Sequence, residues 1–207
     1  MSVKIKICGV FRSEDAPLIN AARPDFVGFV FAKSRRRVTV ETAQRLRTLI
    51  DSDVKSVGVF ADADEDLIAE AFGRKIIDLA QLHGGEDDAY IARLKILGIP
   101  VVKAARWQGA QAAASFDARY KSADYILLDG SSGGAGTAFD WSQIKRAGLK
   151  KPYFLAGGVN PGNIRAALNV LPRPYAVDIS SGAETDGVKD GAKIAEIMRI
   201  AKGVNYE

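Results

Sequence analysis

The chain has 207 residues, of which 47% are hydrophobic and 26% charged, with a formal net charge of +4. That is enough apolar material for a sizeable core, and a mean hydropathy near zero points to a soluble globular protein. One cysteine, Cys8, excludes an intramolecular disulfide framework, and no run approaches the roughly 18 apolar residues of a membrane span.

The cysteine usage fits a cytoplasmic protein. The opening MSVKIKICG is charged within its first strand-like stretch, so it does not read as a signal peptide. A mild positive charge suits a small anionic substrate. The densest basic run, KSRRR (33–37), has no interleaved aromatics, so nucleic acid is not an expected partner, and without a spanning apolar run neither is a membrane.

Short apolar runs rich in Val, Ile, Phe and Tyr alternate with amphipathic stretches along the whole chain. VKIKIC (3–8) predicts a first strand, followed by a helix over SEDAPLINAA (13–22) with Ser13 as its cap. FVGFVF (26–31) precedes a helix over 40–50 capped by Thr39, and VKSVGVF (54–60) precedes an acidic-started helix over 64–72. IIDLAQL (76–82) leads to a helix over 86–97, and IPVVKA (99–104) leads to an irregular, helix-forming stretch over 107–120. YILLD (125–129), PYFLA (152–156) and YAVDIS (175–180) complete the strands, with helices expected over 139–147, 160–171 and 190–203.

Eight strand–helix repeats with no linker or domain break predict an α/β fold, a single-domain (β/α)8 TIM barrel over residues 1–207. The length is close to the fold's lower limit of about 200 residues. A doubly wound sheet would carry G-x-G-x-x-G after its first strand, where this chain has CGVFRS.

Barrel chemistry sits at the C-terminal ends of the strands. The exits here carry Cys8-Gly9, KSRRR, Gln81-Leu82-His83, Asp129-Gly130, Ala156-Gly157-Gly158 and Asp178-Ile179-Ser180-Ser181-Gly182. The loops after the sixth, seventh and eighth strands (SSGGAG, AGG and SSG) are glycine-rich, as a phosphate cradle of backbone N–H groups requires. Alternation places Lys4, Lys6 and Cys8 on the inner face of the first strand, with Asp178 inward on the eighth. Lys6 is therefore expected to pair with Asp178, and to pull the Cys8 thiol below its ordinary value of about 8.5. Asp129 faces inward on the sixth strand. His83, the sole histidine, is expected to be a hydrogen-bonded rim residue.

KICG (6–9), GFVF (28–31), SRR (34–36), QLHG (81–84), LLD (127–129), GGAG (133–136), FDW (139–141), AGG (156–158) and DISSG (178–182) together resemble phosphoribosylanthranilate isomerase of tryptophan biosynthesis. The resemblance runs from the first strand to the eighth. It implies a phosphosugar–anthranilate substrate and an Amadori rearrangement without cofactor or metal. It also implies Asp129 as general acid, Cys8 as general base and Arg36 as the carboxylate-binding arginine. Lys6, Gln81, His83 and Asp178 are the other expected substrate-binding residues. Gly134, Gly136, Gly157, Gly158, Ser180, Ser181 and Gly182 are the expected phosphate site. A monomer is expected, with a homodimer as the alternative. The related isomerase of histidine biosynthesis would place an aspartate where Cys8 stands.

Overall fold

The structure, a computed structural model, describes residues 2–130 and 139–204. Its centre is a closed barrel of eight parallel strands in the order β1 to β8. These are β1 (Lys4–Cys8), β2 (Phe26–Val30), β3 (Lys55–Phe60), β4 (Leu79–Leu82), β5 (Val101–Arg106), β6 (Tyr125–Asp129), β7 (Tyr153–Leu155) and β8 (Ala176–Ile179). β8 pairs with β1 to close the ring, with Lys6 in register with Asp178.

Outside the strands lie α1 (Asp15–Ala22), α2 (Val40–Leu49), α3 (Glu65–Gly73), α4 (Asp88–Ile96), α5 (Ala110–Ala113), α6 (Phe116–Arg119), α7 (Ile164–Leu168) and α8 (Gly191–Lys202). Thr39 caps α2 through the Thr42 N–H, as the sequence predicts. Ser13 does not cap α1. Asp15 instead accepts from the N–H groups of Phe11 and Arg12 and is buried there. The 139–147 stretch forms a 3-10 helix over Trp141–Arg146 rather than an α-helix. The stretch over 107–120 splits into α5 and α6. In the 160–171 stretch, the Asn160 side chain accepts from the Gly162 N–H and Asn163 from the Asn160 N–H, so local turns delay α7 to Ile164.

The entrances to three strands share one device. Asp25, Asp78 and Asp124 stand just before β2, β4 and β6, and their Oδ2 atoms accept from the N–H groups of Ile5, Ser56 and Val101 on the preceding strand. Each carboxylate satisfies a donor that the ladder leaves open at the lower rim.

Alternation along the strands makes two cores. Ile5, Ile7, Val27, Phe29, Ile126, Leu128, Val177 and Ile179 pack outward under the helices. Phe26, Val57, Leu79, Val102, Leu127, Phe154 and Ala176 fill the barrel interior. The interior ends below in packed rings of Phe26, Tyr125, Phe154 and Tyr175, and Lys4 donates to Tyr175 Oη at 2.8 Å. Lys4 thus belongs to the floor, two side chains beneath Cys8.

Candidate active site

Cys8 ends β1 with its side chain inward. Its partner across the ladder is Gly28, where a Cβ would lie 2.7 Å from the thiol sulfur, so the bare glycine makes the room that Sγ occupies. One layer below, Lys6 is fully buried and donates to Asp178 Oδ1 at 3.0 Å and to Gln81 Oε1 at 2.9 Å. Burial alone would lower the Lys6 pKa, but the Asp178 carboxylate and Cys8 outweigh it, and the ammonium is held above its usual value.

The thiol goes the other way from the sequence expectation. Burial pushes the Cys8 pKa up, and the Lys6 charge only partly opposes this. Lys6 spends its charge on Asp178, whose own negative charge also raises the thiol.

At the β4 exit, the Q-L-H spacing puts Gln81 and His83 on one side of the strand. Gln81 Nε2 stands 3.2 Å from His83 Nδ1, and His83 Nε2 stands 3.3 Å from Asp129 Oδ2 at the end of β6. A buried ion pair, Lys103 Nζ to Glu86 Oε2 at 3.0 Å, holds this turn from behind. Lys103 also donates to the carbonyls of Leu82 and Gly84, and Glu86 accepts from the Gly84 and Asp62 N–H groups.

The loop after β2 supplies Arg36. Its guanidinium grips Glu184, with Nε to Oε1 at 2.6 Å and Nη2 to Oε2 at 2.7 Å. Gly9 lets the arginine pass: its φ is +81°, and a Cβ there would strike Arg36 Cδ. Glu184 opens a small hairpin, β9 (Glu184–Thr185) and β10 (Val188–Lys189). Lys189 Nζ donates to Glu184 Oε1 at 2.8 Å and to the Ser180 carbonyl. Burial alone would raise the Glu184 pKa, but the hydrogen bonds from Arg36 and Lys189 hold its carboxyl below the usual range.

These groups line one cavity of about 380 Å³: Cys8, Arg36, Gln81, His83, Asp129 and Asp178 share it with Gly157, Gly158, Ser180 and Ser181. Among the three arginines of KSRRR, Arg36 lines it and is half-buried, while Arg35 and Arg37 are exposed. Gly157 and Gly158 both have positive φ, +88° and +70°. Gly182 sits behind the wall, where a Cβ would strike the Val159 carbonyl oxygen, so it packs the eighth loop on the seventh. Lys6 lies beneath the cavity floor. Gly134 and Gly136 lie outside the described residues. A larger cavity, about 620 Å³, opens at the opposite end of the barrel among Phe26, Lys55, Tyr125 and Tyr175. It contains none of the strand-exit residues, and in this fold chemistry belongs to the other end.

A family model for N-(5'-phosphoribosyl)anthranilate isomerase matches residues 5–199. The chain belongs to the N-(5'-phosphoribosyl)anthranilate isomerase family. It is 46% identical over 206 residues to the isomerase of Endomicrobium trichonymphae, covering 97% of this chain and 99% of that one. Among solved isomerases, the Thermus thermophilus enzyme superposes with a TM-score of 0.87 at 32% identity, covering 97% of this chain and 98% of that one. Another isomerase, solved in complex with reduced 1-(o-carboxyphenylamino)-1-deoxyribulose 5-phosphate, is 34% identical with a TM-score of 0.80, over 98% of this chain and all of that one.

Four residues that brace the site carry no expected role from the sequence: Glu86, Lys103, Glu184 and Lys189. The hairpin was readable in principle. Asp186-Gly187 stands between ET and VK, and both residues have positive φ, 50° and 81°. That is the pattern of a two-residue hairpin turn.

Proposed function

We propose that the protein is an N-(5'-phosphoribosyl)anthranilate isomerase of tryptophan biosynthesis, working by general acid–base catalysis at the rim formed by β1, β6 and β8. Asp129 donates a proton to the furanose ring oxygen, and the ring opens to a Schiff base. Cys8, as thiolate, removes the C2′ proton, giving an enolamine that tautomerises to the aminoketone. Arg36 receives the anthranilate carboxylate, for which a planar fork of N–H donors is suited. The backbone N–H groups of the Gly157-Gly158 loop, with Ser180 and Ser181, receive the phosphate.

The observation that carries this reading is the sharing of one cavity by a thiol, a carboxyl group, an arginine and a positive-φ glycine loop. A substrate with a carboxylate at one end and a phosphate at the other needs anion-binding groups at both ends and proton-transfer groups between them. The geometry behind the cavity fits as well: Glu184 fixes the arginine, and Gly28 leaves room for the sulfur.

The test is the loss of substrate fluorescence with purified protein. Wild type consumes phosphoribosylanthranilate, whereas Cys8→Ala and Asp129→Asn fall by at least about 100-fold, the range expected for losing a general acid or base. Full-rate turnover by Cys8→Ala would remove the base assignment. An inactive wild type would leave a non-catalytic phosphosugar-binding barrel as the better reading.

A further inference from the structure

The side chains of Asp178, Lys6, Gln81, His83 and Asp129 form one unbroken run of polar contacts across the barrel, from β8 through β1 and β4 to β6. The successive distances are 3.0, 2.9, 3.2 and 3.3 Å. The donor and acceptor sense of the run is decided at one end. An ammonium has only donors. Lys6 is fully buried, so it must face acceptors, and it faces Asp178 Oδ1 and one end of the Gln81 amide. That end is therefore the amide oxygen. The NH2 end is left toward His83 Nδ1, which must act as acceptor and carry no proton. The ring hydrogen is then on Nε2, pointing at Asp129 Oδ2.

We infer that Gln81 is a positioning residue: held by Lys6, it fixes His83 as the Nε2–H tautomer, and His83 in turn presents an N–H to Oδ2 of Asp129. Neither Lys6 nor Gln81 needs to touch substrate for this. A hydrogen delivered to Oδ2 leaves the acidic proton of Asp129 on Oδ1. That oxygen lies against the bare face of Gly157, 3.2 Å from where a Cβ would stand. The donated N–H also stabilises the carboxylate that remains after proton transfer, without supplying a competing proton to the substrate.

The kinetic half of this inference rests on Asp129 being the acid proposed above, and the tautomer half stands without it. His83 is the only histidine in the chain, so 15N-histidine labelling gives two unambiguous ring resonances. Wild type is expected to show an unprotonated Nδ1 and a protonated Nε2. Gln81→Glu keeps an acceptor for Lys6 but sets a carboxylate against Nδ1. It is expected to protonate Nδ1 and to lower kcat at least tenfold, with KM changed much less. Gln81→Leu, which removes the donor without adding an acceptor, is expected to show a mixture of tautomers, and serves if the glutamate variant fails to fold. A protonated Nδ1 in wild type would overturn the inference. So would a Gln81→Glu enzyme whose tautomer switches while kcat stays at the wild-type value. Asp129→Asn separates the two readings: full turnover there removes the acid role, and the wild-type spectrum still judges Gln81.

Discussion

Gly28 faces Cys8 across the β1–β2 ladder at a distance that no side chain could share: a Cβ on Gly28 would stand 2.7 Å from Sγ and 3.1 Å from the Cys8 Cα. The thiol sits where it does because its neighbour has no side chain. Gly28→Ala is therefore expected to push the sulfur out of line with the substrate carbon. Displacements of about 1 Å can cost 10²-fold in rate, while overpacking of this kind costs about 1–3 kcal/mol of stability. Steady-state kinetics and thermal unfolding on the same preparation check the split, and an alanine variant with wild-type kcat would show that the sulfur position is not critical.

The Cys8 thiol is raised by burial, with Lys6 opposing. Its rate of alkylation by a small reagent should therefore rise with pH and reach its midpoint above the value near 8.5 of an ordinary cysteine. Lys6→Met removes the opposing charge and leaves the Asp178 carboxylate unbalanced beside the sulfur. Both changes push the midpoint higher. A midpoint that falls, or stays put, in the variant contradicts the electrostatic account.

This is also where the sequence was least informative. Strand parity correctly put Lys6 beneath Cys8 and opposite Asp178, because a period of two is enough for that. It could not weigh desolvation against attraction, because burial depth depends on the helices and loops that close over the site. The role of Glu184 is not legible in the sequence for a related reason. It is close in sequence to the serine pair of the eighth loop, but its partner Arg36 is 148 residues away and the two meet only when β1 stands between β2 and β8. The eight strands, in contrast, are all legible, with ends within three residues of those observed, since each is a short apolar run.

Glu184 holds Arg36 on one side and the buried Lys189 on the other. Glu184→Gln leaves Lys189 without its counter-charge, and breaking a buried pair of this kind costs about 3–5 kcal/mol. The KM should rise as well, because Arg36 loses its anchor. The pH dependence has a definite sign. A carboxyl whose folded pKa is depressed stabilises the fold above its unfolded value of about 4.3, and that contribution is lost as pH falls through the lower folded value. Wild type should thus lose stability on acidification below about pH 4, and the glutamine variant should show a shallower slope over that window in urea titrations.

Lys103 and Glu86 are both buried and meet behind the turn that carries His83. Glu86→Gln alone is expected to destabilise by about 3 kcal/mol by leaving a buried ammonium. Replacing both residues with apolar side chains of similar volume should recover much of that loss. A double variant no more stable than the single would mean that the hydrogen bonds to the Leu82 and Gly84 carbonyls, rather than the ion pair, set the stability here.

The Lys6–Asp178 contact joins residues 172 positions apart, on the first and last strands of the barrel. An ammonium this deeply enclosed is tolerable only with its partner present. Lys6 therefore gains this counter-charge only where β8, the last strand of the barrel, closes on β1. The register that closes the ring is the register that pairs the charge beneath the thiol. No barrel lacking β8 holds the Lys6–Asp178 pair under Cys8, and the chamber is complete only where the first and last barrel strands meet.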